Sequence, residues 1–243
     1  MKYLFIIYTF LFLPTIVIGQ QNTLQISYIE EFGSNDSGGF TNWKTDLTIL
    51  NSKYSLYRID IKSANQKRID ATDFGENMGF IPSNSTYNYY YKDNNDIFYK
   101  WYITGKKFYI KDQPNFEWKI LPETKDILGY ACQKAITTFR GRNYEAYFAI
   151  IDGATGGPWK FNGLPGVILE IESTDGEFKI LSYGINTIKL DNPVVNPYIS
   201  EKFISWEKYK DLYNRKYIET ENTFKDGQQV MSMKKMQRER LVD

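Results

Sequence analysis

The chain has 243 residues, 30 Lys plus Arg against 29 Asp plus Glu, one Cys and no His. Without histidine there is no Ser-His-Asp triad, no Cys-His pair, no imidazole ligand for zinc and no side chain that ordinarily titrates near neutrality. One Cys forms no internal disulfide, and a formal net charge of +1 gives no footprint for nucleic acid. Chemistry therefore has to come from carboxylates, Lys, hydroxyls and backbone groups, and neither a cofactor nor a metal is expected.

Met1, Lys2 and Tyr3 precede an apolar run from Leu4 to Ile18, broken by Thr9, Pro14 and Thr15. Val17-Ile18-Gly19 then supplies the small positions that a signal peptidase reads, so residues 1–19 are read as a secretory signal. The run is about 15 residues, short of the roughly 20 that cross a bilayer. The chain is expected to be exported, as a periplasmic, outer-membrane-associated or secreted protein, with no transmembrane span in its mature part. Residues 20–220 are expected to form one β-rich domain and 221–243 a polar, basic tail.

Aromatic residues make up 17% of the chain and favour pleated, half-buried surfaces. Strand patterns begin with Leu24, Ile26 and Tyr28, and continue over 47–49, 54–61, 87–91, 97–104 and 108–110. They resume over 118–120, 129–139, 144–151, 167–172 and 178–183. Gly105, Arg140-Gly141-Arg142-Asn143 and Asp175-Gly176 mark turns. Cys132 falls in one such strand and is expected to be a small core residue. The spacing predicts a mainly β fold, an antiparallel meander forming a curved open sheet or half-barrel.

After Pro193 and Pro197, Ser200 is placed to cap a helix running to about Thr220. Phe203, Trp206, Tyr209, Tyr213 and Tyr217 recur at three to four, so one aromatic stripe is expected to pack this α-helix on the sheet. The basic run Lys234 to Arg240 reads as a solvated tail, with contact to an anionic membrane surface as the sharper alternative.

The segment from Gly153 to Ile171 is Gly-rich and apolar. It is not a phosphate loop, because Pro158 and Trp159 follow the glycines where Lys and Ser or Thr would open a helix. Gly163-Leu164-Pro165-Gly166 reads as a tight turn, with Pro165 fixing φ, Gly166 supplying positive φ and Leu164 projecting as an apolar plug. Together with Gly157-Pro158-Trp159-Lys160-Phe161, this turn resembles the GLPGLI family of secreted and cell-envelope proteins of Bacteroidetes, with Val167 in place of the second Leu. Further matching blocks are Trp118-Lys119-Ile120, Glu123-Thr124-Lys125, Gly129-Tyr130, Cys132-Gln133-Lys134-Ala135 and Arg140-Gly141-Arg142 with Tyr144. The resemblance covers essentially the whole chain, departing in the loop 150–156, where members carry proline. It implies an envelope protein and transfers no catalytic residue.

Among the acids, Glu170 and Glu172 lie two apart on one strand and share a face, spaced about as far as an inverting carboxylate pair requires. Three candidate functions emerge. The first is a non-enzymatic envelope protein that binds an apolar ligand such as lipid, or a peptide or envelope partner, through a curved sheet like the half-barrel of periplasmic lipoprotein carriers. The second is a His-free hydrolase using paired carboxylates. The third is an assembly partner of outer-membrane transport machinery.

Overall fold

The computed structural model describes residues 22–34, 39–67, 86–225, 233 and 239–241. The signal-peptide reading, at 1–19, lies outside them. β1 (Asn22–Ser34) pairs antiparallel with β2 (Gly39–Ile49), followed by β3 (Tyr54–Asp60). A short β4 (Asn65–Lys67) also pairs β2. Beyond β3 come β5 (Tyr87–Asp93), β6 (Asp96–Ile103) and β7 (Lys106–Asp112).

On the other side of β1 the order outward is β12 (Phe178–Lys189), β11 (Val167–Ser173), β10 (Arg142–Ala149), β9 (Tyr130–Phe139) and β8 (Lys119–Ile127). The sheet is thus two meanders joined along one seam, β1–β12, whose register runs from Asn22↔Lys189 to Phe32↔Phe178. A last strand, β13 (Phe203–Ser205), adds parallel to β7, an exception to the antiparallel pattern.

The sheet is open, yet strongly curved. β7 and β8 lie near opposite ends of the order, but residues 113–118 alone connect them. An extended chain covers at most about 3.5 Å per residue, so the two ends lie within about 25 Å of each other. Trp159 shows which face is concave, since its ring meets Tyr90 of β5, Phe139 of β9 and Phe178 of β12. Ile26, Tyr28, Leu47, Tyr57, Tyr99 and Ile110 alternate onto this inner face and are buried there.

The C-terminal helix α1 (Trp206–Lys225) covers part of the concavity. Trp206 and Tyr209 pack on Trp101, and Tyr209 also on Phe108. The expected cap was Ser200. Ser205 takes that role instead, its Oγ accepting from Lys208 N at 3.2 Å. The helix starts later because Phe203–Ser205 is used as a strand, with Phe203 packed on Phe98 and Tyr109.

The turn at 163–166 also differs from expectation. Gly163 has positive φ, +92°, whereas Gly166 does not. Gly166 is needed for a different reason, because a Cβ there would overlap the carbonyl oxygen of Ala149. Leu164 is buried as the sequence suggested.

These two glycines should separate in stability. Gly166→Ala forces β10 and β11 apart and should lower the unfolding free energy by about 2 kcal/mol or more. Gly163→Ala, whose Cβ would meet the Trp118 ring at ordinary van der Waals distance, 3.7 Å, meets φ strain without a clash and should cost about 1 kcal/mol. Urea denaturation of both variants checks the order.

Candidate functional site

The segment between β10 and β11 turns into the concavity instead of linking the strands directly. Its base is tied by Gly156 N–H donating to Gly166 O at 3.2 Å and Ile168 N–H donating to Gly156 O at 2.9 Å. Pro158 opens the inner turn, with Phe161 N–H bonding back to Pro158 O at 3.1 Å. Trp159, Lys160 and Phe161 are all buried there. Phe161 packs on Tyr144, Phe116 and Phe178, and Trp118 Nε1 donates to Asn162 O at 2.7 Å. The motif is a plug inside the half-barrel.

The plug carries a cation into the core. Lys160 is 0% exposed. Its Nζ lies 2.9 Å from Asp112 Oδ2 and 2.5 Å from Glu239 Oε1, and donates to the Tyr99 hydroxyl at 2.8 Å. Three partners satisfy the three donors of the ammonium. The rings of Tyr99, Trp206, Trp159 and Trp101 surround it, with centroids at 4.4, 4.5, 5.1 and 5.3 Å.

Arg140 completes the cluster from the tight β9–β10 turn. Its guanidinium holds Asp112 through Nη2–Oδ1 at 2.7 Å and Nη1–Oδ2 at 2.9 Å, and Glu239 Oε2 through Nη1 at 2.8 Å. It also lies over the Trp206 ring at 4.1 Å. Each carboxylate therefore bridges both cations, and the charges cancel. Burial would raise the Asp112 carboxyl, but Lys160 and Arg140 outweigh it and hold the group well below the usual carboxylate range. Burial, then the charges of Asp112 and Glu239, push the Tyr99 phenol well above its ordinary value, so it stays a neutral hydroxyl.

Glu239 brings residues 239–241 into the core, where a solvated tail was expected. Glu239 and Leu241 are both fully buried, and Arg240 N–H donates to Arg140 O at 2.8 Å. The reason is electrostatic, since the fully buried Lys160 and the partly buried Arg140, facing only Asp112, would leave one positive charge uncompensated. Of the basic run Lys234 to Arg240, residues 234–238 lie outside the described residues.

The acidic candidates sit elsewhere. Glu170 and Glu172 lie on β11 facing outward, Glu170 bound to Lys125 and Glu172 to Lys179 at 3.3 Å. The neighbouring Glu145 is bound to Lys134 at 2.7 Å. They form an alternating ion-pair row on the convex face. A groove of about 410 Å³ opens nearby, lined by Glu117, Lys119, Thr138, Asn143, Glu145 and Thr174 among others. Among the described residues no cluster of three or more His, Cys, Asp or Glu could hold a metal ion. No helix among them is long and apolar enough to cross a membrane.

No protein-family model matches the chain, and no curated protein matches it. Among solved structures, two crystal forms of PNGF-II are similar at 18% identity and a TM-score of 0.45, covering 79% of this chain and 33% of theirs. The chain thus spans about a third of that protein. A LolA superfamily protein, NE2245 from Nitrosomonas europaea, is similar at 8% identity and a TM-score of 0.32, over 71% of this chain and 88% of its own.

The burial and charge pattern predicts two outcomes. Asp112 has a depressed carboxyl pKa in the folded state, so its contribution is complete above its ordinary value near 4 and is lost as pH falls below that. Asp112→Asn should cost about 3–5 kcal/mol at pH 7. Its stability should also fall less steeply than that of the wild type below about pH 4, as read by urea melts across pH. Cys132 is buried, and burial followed by the charge of Glu170 raises its thiol pKa to about 11. It should resist iodoacetamide at pH 8 in the folded protein and react once urea unfolds it.

Proposed function

We propose that this chain is an exported, non-enzymatic binding protein of the cell envelope, of the GLPGLI type, which holds an apolar ligand or an apolar segment of an envelope partner on the inner face of its curved sheet. The observation that carries the reading is how that face is covered. It is lined with Tyr, Trp and Phe, and the chain closes it with separate inserts rather than a second sheet. The inserts are the plug with Trp159 and Phe161, helix α1 with Trp206 and Tyr209, and the C-terminal Glu239 to Leu241. A concave aromatic layer of this kind suits an apolar guest. The family resemblance and the leader-like residues 1–19 support the envelope setting.

The other readings have less behind them. A carboxylate hydrolase would need Glu170 and Glu172 to act together, and each is held by its own lysine on the convex face. Strand addition at the free edge β8 is discouraged by Lys119, Pro122 and Lys125 and by the register break between Ile120 and Thr124.

Native mass spectrometry of protein taken gently from its own envelope tests the reading. A chain lacking its first 19 or 20 residues and carrying a retained apolar molecule or peptide is expected. A bare chain under every gentle condition overturns it.

A further inference from the structure

We propose that the seat of Glu239 is a carboxylate-binding site that the chain fills with its own C-terminal residues, and that its external ligand is a carboxylate carried on an apolar chain. This rests on the binding reading above and names the chemistry of the ligand.

Without Glu239, the cluster consists of Lys160, Arg140 and Asp112, with one net positive charge in an aromatic-walled space where Lys160 and Asp112 are buried and Arg140 is partly so. A buried net charge is costly, so the seat calls for one anion. The geometry selects a carboxylate. Lys160 Nζ and Arg140 Nη1 hold the two oxygens of one planar group, at 2.5 and 2.8 Å. A doubly charged phosphate would overcompensate the single net charge.

Arg240 and Leu241 indicate the rest of the ligand. Arg240 is exposed and Leu241 is buried within the core cluster. Glu239 and Leu241 are thus both turned into the core on either side of an outward-facing residue. The insert therefore delivers an anionic head and an apolar arm together, the pattern of a fatty acid or of an acidic–x–apolar peptide.

This insert is also the cover best suited to exchange. The plug cannot leave without stranding Asp112 and Glu239 from Lys160, whereas an incoming carboxylate replaces Glu239 charge for charge. The C-terminal residues thus act as a resident ligand that an external one displaces.

The first test uses full-length Glu239→Ala, which empties the seat and keeps Leu241. Its thermal midpoint should rise saturably with acetate and with decanoate, and decanoate should act at a roughly tenfold or greater lower concentration because its chain is also buried. Decanol and sodium chloride should not reproduce the effect, and adding Lys160→Met should abolish it. A rise equal in decanol, or no saturable rise, overturns the proposal. A peptide of residues 238–243 added in trans separates the sources. Rescue below the decanoate concentration marks a peptide ligand, and the reverse marks a fatty acid.

The second test uses the wild-type protein, so it does not depend on the variant folding. Decanoate, but not decanol, should speed carboxypeptidase removal of residues 239–243, and an unchanged rate overturns displacement. If the envelope-derived protein retains a neutral apolar molecule while no carboxylate rescues Glu239→Ala, the binding reading stands and this inference falls. If carboxylates rescue but the envelope-derived protein is bare, the seat stands and the binding reading falls.

Discussion

A fully buried lysine ammonium is the constraint around which the rest of this structure is arranged. Lys160 cannot remain charged inside an aromatic core unless carboxylates and a hydroxyl meet it there. Meeting it draws together parts of the chain that are distant in sequence. Tyr99 comes from β6, Asp112 from the end of β7, Arg140 from the β9–β10 turn and Glu239 from the C-terminus, with Trp206 of the helix as the roof. Asp112 and Arg140 belong to the two arms of the half-barrel, so their ion pair spans the opening between them. The cluster closes only when the sheet is curved.

Such a cluster need not add much net stability. Buried ion pairs often do no better than well-packed apolar groups of the same volume, while removing one partner costs several kcal/mol. Its effect lies in specificity, because an assembly with one segment out of place leaves a charge unpaired. The same logic holds Trp159 in a left-handed conformation, φ +55°, between Pro158 and the anchored Lys160. The motif that distinguishes the sequence is therefore a locked plug, with Gly157 and Gly166 serving close approach, Gly163 serving positive φ and the lysine serving as the bolt.

Much of the fold was legible from period and turn residues. The alternation of Tyr54 to Ile61 and the glycine at 105 gave strands and a hairpin because both rest on local geometry. The helix start was misplaced because Phe203 continues the aromatic spacing of the helix, and only its contact with Phe98 and Tyr109 makes it strand. Gly166 was assigned a φ role because a Pro-Gly pair usually means a type II turn, whereas the close carbonyl of Ala149 is a tertiary fact.

The central cluster was half visible. A lysine flanked by Trp159 and Phe161 in an apolar run signals a buried cation, and a buried cation demands an acid. Which of the 29 acids answers it depends on long-range folding, and Glu239 was hidden in a basic run that reads as solvated tail. The most direct test of the account is a double-mutant cycle on Lys160→Met and Glu239→Gln, read by urea unfolding. Paired charges predict a coupling energy of about 1–3 kcal/mol, with the double variant far more stable than the sum of the singles implies. Additivity within about 0.5 kcal/mol would contradict the claim that this ion pair organises the core.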